Sequence, residues 1–171
     1  MKNKLTLFLL FATLTVSNAQ VLNTIKYSTA NSGLPNDQVM GLDITSNDVL
    51  WISTFGNGLV SFDGTNWVKY DATTPNFPGD YVKDVIVDKN NNVFAIGGFM
   101  VSKFNNNSWS DISTNNGIPK AFTKDANGNI WLGDNDLQKY NGTSWDTPVT
   151  IPSNVKYEPI KMVGDTNNNI W

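Results

Sequence analysis

Short apolar runs, each broken by a cluster of Asn, Gly, Asp or Pro, recur along the chain from Val39 to its last residue. No amphipathic stretch of helical length lies between the clusters, so the pattern predicts strands and tight turns. The runs repeat. Trp51, Phe94, Trp131 and Trp171 follow one another at intervals of 43, 37 and 40 residues, and Trp67, Trp109 and Trp145 at 42 and 36. A period near 40 holds four strands of about five residues with their turns. Each repeat therefore reads as a four-stranded antiparallel blade. The predicted fold is all-β: an incomplete β-propeller of about three blades and the start of a fourth.

The first strand of a blade is expected at Val39 to Ile44, Val82 to Asp88 and Phe122 to Asp125, and the second at Val49 to Thr54, Val93 to Gly97 and Ile130 to Gly133. The second strands are almost wholly apolar, as befits a sheet covered on both faces by neighbouring blades. The turns between these strands run Asp88-Lys89-Asn90-Asn91-Asn92, Asp125-Ala126-Asn127-Gly128-Asn129 and Asp165-Thr166-Asn167-Asn168-Asn169. Asn and Gly supply positive φ there, and the leading Asp can accept backbone N–H bonds.

The start of the chain has a different pattern. Met1-Lys2-Asn3-Lys4 precedes an apolar run from Leu5 to Val16 and then Ser17-Asn18-Ala19-Gln20, the layout of a signal peptide cleaved after Ala19. Twelve apolar residues rise about 18 Å as a helix, too little for a hydrocarbon core of about 30 Å. Residues 1–19 are thus expected to be an export signal, and the mature chain to be periplasmic, extracellular or at the cell surface. No cysteine is available for a lipid anchor, and no later stretch is of membrane length.

Residues 20–30 carry a further echo of the repeat. Thr24-Ile25-Lys26-Tyr27 matches Trp67-Val68-Lys69-Tyr70, the fourth strand of a blade, so this segment is expected to be a lone outer strand that closes the ring by pairing with a last blade. Residues 31–171 are expected to hold the blades. The fourth repeat starts at Val155 and breaks off at Trp171, so the chain reads as the N-terminal part of a longer protein.

Composition narrows the chemistry. The 171 residues include no Cys and no His, which removes disulfides, thiol nucleophiles, Cys/His zinc sites and imidazole catalysis. All twelve cations are Lys, fourteen of the fifteen acids are Asp, and the net charge is -3. That balance disfavours a nucleic-acid partner, which needs a basic patch. The Asp-x-Asn-x-Asn turns resemble half of a calcium loop, but they lack its sixth-position Gly and its bidentate Glu, so no metal and no cofactor are expected. With Glu158 the sole glutamate and no Asp pair standing apart from the turns, no catalytic residue is identified and the segment is expected not to be an enzyme.

The string Asn31-Ser32-Gly33-Leu34-Pro35, Val39, Asp43, Leu50-Trp51-Ile52, Gly58-Leu59, Phe62-Asp63-Gly64 and Trp67 resembles the two-component-regulator propeller repeat. The third repeat keeps this pattern. The second departs from it, with Phe94 in the Trp column and Asn105-Asn106 where Asp-Gly is expected. The resemblance implies an extracytoplasmic sensor region of a bacterial signalling receptor, many of which respond to glycans, or a secreted or surface propeller without signalling output. The Trp residues at fixed strand positions are expected to pack between blades. Aromatics assigned to the loops of one rim, Phe55, Phe77, Tyr81 and Phe99, are the candidate ligand-binding residues, with a carbohydrate or another protein as the partner.

Overall fold

The computed structural model describes residues 24–114, 117–146, 149 and 161–171. The export signal, Val155 and Glu158 lie outside the described residues. Eleven strands form three antiparallel meanders, with no helix among the described residues. The first blade is β1 (Val39–Ile44), β2 (Leu50–Thr54), β3 (Leu59–Phe62) and β4 (Trp67–Tyr70). The second is β5 (Val82–Val87), β6 (Val93–Gly97), β7 (Met100–Asn105) and β8 (Ser108–Asp111). The third is β9 (Ala121–Lys124), β10 (Ile130–Gly133) and β11 (Leu137–Lys139), extended by single bridges from Tyr140 to Trp145 and from Leu137 to Val149. A bridge from Gly164 to Ile170 begins a fourth. Strand order within each sheet follows chain order, and β1 packs beside β5 and β5 beside β9, so the first strands are innermost. This is an incomplete β-propeller.

Apolar second strands occur because both of their faces are covered. Val93 and Ala95 point into the core shared with the first blade, where Trp51, Leu59, Val82, Val85 and Trp109 meet. Phe94 and Ile96 point the other way, against Phe122, Ile130, Leu132 and Tyr140 of the third blade. The Trp columns are packing elements, as their periodicity predicts: Trp51 and Trp109 are buried, and Trp67, Trp131 and Trp145 half-buried. Trp171 is exposed, on a side that no described residue covers.

The inner strands of the first two blades share one irregularity. A bulge falls between Val39 and Gly41 in β1 and between Val82 and Asp84 in β5, 43 residues apart like the rest of the repeat. Beyond it Leu42 and Ile44 hold the positions of Val85 and Val87. The latter two are buried against the first blade, whereas Leu42 and Ile44 are exposed, because no described blade precedes them.

Residues 24–28 form no strand ladder. Their side chains nevertheless follow the repeat. Tyr27 meets Phe62 and Trp67 at 5.4 Å with interplanar angles of 65° and 71°. Tyr70 meets the equivalent Phe104 and Trp109 of the next blade at 5.5 and 5.6 Å with angles of 63° and 76°. In the third blade Ile112 takes the same place against Tyr140 and Trp145. Leu34 then tucks against Ile52 and Val60. The segment thus caps the outer half of the first blade's free face.

Candidate functional site

The meander order sends the β2–β3 and β6–β7 turns, together with the connections into β1 and β5, to one rim of the blades. On that rim Phe55-Gly56-Asn57-Gly58 is held from three directions. Phe55 N donates to Gln38 O at 3.0 Å, Asn36 Nδ2 donates to Phe55 O at 2.6 Å, and Gly58 N donates to Asp80 O at 2.7 Å. Gly58 has φ of +84°, and a Cβ there would lie 2.0 Å from Tyr70 O, so only glycine allows the turn to sit this close to the first blade's last strand. Phe55 is thereby placed edge-to-face against Tyr81, with ring centroids 5.4 Å apart and an interplanar angle of 78°. Beneath the pair is a recess of about 150 Å³ lined by Met40, Thr54, Phe55, Tyr81, Val82 and Lys83.

Of the four rim aromatics expected from the sequence, Phe55 and Tyr81 come together and are 50% and 64% exposed. Phe99 tops the equivalent turn of the second blade and is 78% exposed. Phe77 is a core residue, 6% exposed, 4.8 Å from Trp109 and 6.2 Å from Tyr70. This corrects its placement as a ligand platform. It occupies a repeat column with Leu34 and Ile118, each directly before a Pro, and in the second blade that column is driven between the sheets. Met40 and Lys83 were not foreseen as part of the site. They lie at the β1 and β5 bulges, which turn strand residues towards the recess, and a bulge leaves no mark in an alternating pattern.

The opposite rim is polar. Asp125 accepts N–H bonds from Asn127 and Asn129, both at 2.9 Å, an amide bond from Asn129 Nδ2 at 2.8 Å and the indole N–H of Trp131 at 3.1 Å. Burial works to raise its pKa, but these donors together outweigh burial and hold it below the ordinary carboxylate range. Asp165 repeats the pattern with Asn167, Asn169 and Trp171, and its pKa is lowered to about 2, chiefly by the Asn169 side chain. Asp88 keeps the turn bonds to Asn90 and Asn92, while Phe94 offers it no indole. These carboxylates are spent on shaping turns. The turns border an open recess of about 720 Å³ at the ends of the innermost strands, lined also by Lys89 and Lys124.

Two ion pairs join the innermost segments. Lys124 Nζ lies 2.7 Å from Asp43 Oδ2, and Lys161 Nζ 3.0 Å from Asp84 Oδ2. Each joins inner segments two blades apart. The carboxylates are fixed by backbone donors: Val87 N to Asp43 and Val85 N to Asp84.

Neither the family models nor the curated proteins compared with this sequence give a match. Solved structures do. An extracellular domain described as part of a hybrid two component system of B. thetaiotaomicron superposes with a TM-score of 0.69 at 20% identity, over 86% of this chain and 22% of that one. A second such extracellular domain from B. thetaiotaomicron, described as part of a one component system, gives 0.66 at 18% identity, over 85% of this chain and 21% of that one. Virginiamycin B lyase from Staphylococcus aureus gives 0.65 at 15% identity, over 78% and 48%. The chain thus spans about a fifth of the sensor domains and half of the lyase. At these identities the likeness is one of fold. It corrects one expectation: the lyase carries chemistry on this architecture, so the fold does not make the chain a non-enzyme.

Proposed function

We propose that this chain is part of a ligand-binding propeller of an exported protein, with a role like that of the sensor regions of two-component regulators. Its ligand is received on the rim of the β2–β3 turn and the β4–β5 connection. The observation that carries this reading is the Phe55–Tyr81 pair, two exposed aromatics over an apolar recess, with Phe55 on a turn held by two backbone bonds and the Asn36 amide. Large apolar groups kept exposed on a rigid frame are a feature of binding sites. The repeat of Gly33-Leu34-Pro35 through Trp67 supports the sensor assignment. The basic start, apolar run and Ala19 support export. So does the extracellular location given for the sensor domains that share the fold.

The test is a thermal-shift screen of the full chain against oligosaccharides, peptides and small metabolites, run beside the Phe55→Ala/Tyr81→Ala double variant. A ligand that raises the Tm of the parent and leaves the variant unmoved is the expected result. A ligand that stabilises both equally binds elsewhere and defeats the assignment.

A further inference from the structure

From the chemistry of the recess we infer that this rim recognises a polypeptide, taking one large aliphatic or aromatic side chain into the recess beneath Phe55 and Tyr81 with a neighbouring carboxylate on Lys83. The inference rests on the rim being the binding face.

Size is the first ground. At about 150 Å³ the recess is well below the roughly 300 Å³ at which pockets for small molecules begin, yet it has room for a single apolar side chain. Its polar complement is the second. Thr54 is fully buried and its hydroxyl donates to Gly58 O at 2.9 Å, which leaves the Tyr81 hydroxyl and the Lys83 ammonium as the side-chain polar groups of the lining. A sugar ring entering here would lose water from several hydroxyls with few partners in exchange. An apolar side chain has no such cost.

Ring geometry points the same way. Phe55 and Tyr81 meet at 78°, so they form the two walls of a notch and not a continuous platform on which a pyranose could lie flat. Met40, 47% exposed at the β1 bulge, adds a flexible apolar wall to the recess. Lys83 is exposed, is the single charged group of the lining and makes no ion pair among the described residues. An apolar anchor beside an acidic residue matches that distribution. The turn is already ordered by Gln38, Asn36 and Asp80, so docking adds little ordering cost.

The experiment is an NMR titration of the full chain, labelled on its Met methyls and aromatic rings. The probes are the blocked peptide acetyl-Gly-Ser-Leu-Asp-Ser-Gly-amide, its Leu→Ser and Asp→Asn counterparts, and a neutral hexasaccharide of glucose. The expected result is saturable shifts at Met40, Phe55 and Tyr81 with the first peptide. Binding should weaken at least tenfold without the Leu and several-fold without the Asp, and Lys83→Glu should reverse the preference between the Asp and Asn peptides. Absence of peptide shifts at these residues, or indifference to Lys83→Glu, overturns the inference. Shifts with the hexasaccharide alone overturn it too, while leaving the rim as the binding face. If a ligand found in the thermal-shift screen moves neither Phe55 nor Tyr81, the rim assignment falls as well.

Discussion

Lys124 reaches back 81 residues to place its ammonium 2.7 Å from Asp43, passing over the second blade to tie the third to the first. The same ammonium donates to Val87 O at 3.1 Å, and Asp43 accepts from Val87 N at 2.8 Å, so the pair also grips the blade it skips. Half-exposed ion pairs contribute little singly, about 0.2–1 kcal/mol. This one adds backbone bonds, and Lys124→Met is expected to cost about 1 kcal/mol. Asp43→Asn should cost less, because the amide oxygen can still accept from Val87 N. Urea unfolding of both variants and their double mutant checks this. A coupling energy of zero would show that the two residues merely lie side by side.

The turn that carries Phe55 depends on Gly58. A methyl group there would meet Tyr70 O at 2.0 Å in a backbone conformation that L residues seldom adopt, so Gly58→Ala is expected to destabilise by about 3 kcal/mol and to displace Phe55. Gly64 provides the control. Its φ is +92° but nothing lies within 4 Å of an added Cβ, so Gly64→Ala should cost about 1 kcal/mol, the conformational penalty alone. Equal losses in thermal unfolding would show that the clash at Gly58 is readily relieved.

Trp131 and Asp125 test the repeat turn. Trp131→Phe reproduces what the second blade has naturally at Phe94, removing one donor from a carboxylate that keeps its Asn127 and Asn129 bonds. A loss of about 1 kcal/mol is expected, together with a rise of the Asp125 pKa towards its ordinary value. Carboxyl-carbon NMR against pH reads the second effect directly. An unmoved titration would mean that the indole contributes nothing to holding the charge.

Stability should fall at both extremes of pH and stay level between them. Asp71 is lowered to about 2, first by the Thr73 hydroxyl at 2.6 Å, then by Thr73 N–H and by Lys69; Asp165 is lowered to about 2 and Asp125 in the same direction. A carboxylate with a folded-state pKa below its unfolded value stabilises the fold above the unfolded pKa, about 3.9. That contribution disappears as pH falls from there through about 2. With no histidine in the chain, no imidazole transition is expected between pH 5 and 8. On the alkaline side burial raises the Tyr70 and Tyr140 pKa values, so stability is kept up to the ordinary tyrosine range and is lost as pH rises through their elevated values. Urea midpoints from pH 2 to 11 should trace this flat-topped curve. A step near pH 6 would contradict it.

Much of the architecture was written in local pattern. Strand positions, the apolar second strands and the Asp-led turns follow from short-range rules, because a residue facing a neighbouring blade must be apolar and a turn with positive φ must be Asn, Asp or Gly. Asp48, Asn91, Gly128 and Asn168 all have positive φ at the same place in successive turns. The Tyr27 packing, too, could be anticipated from its match to Tyr70. Phe77 could have been assigned to the core from Leu34, its buried counterpart in the first repeat, although the third counterpart, Ile118, is half-exposed. The recess was not legible, because it joins residues from the β1 bulge, the β2–β3 turn and the start of β5.

The sequence by itself determined the repeat, its period and the residues that pack between blades, since these depend on side-chain type at fixed spacing. Only the tertiary structure decided which exposed aromatics meet, which carboxylates are spent on turns and which pair with lysines across two blades. Those relations depend on the angle between successive sheets and on one-residue bulges, which displace side chains by several ångströms without altering the pattern of apolar and polar positions.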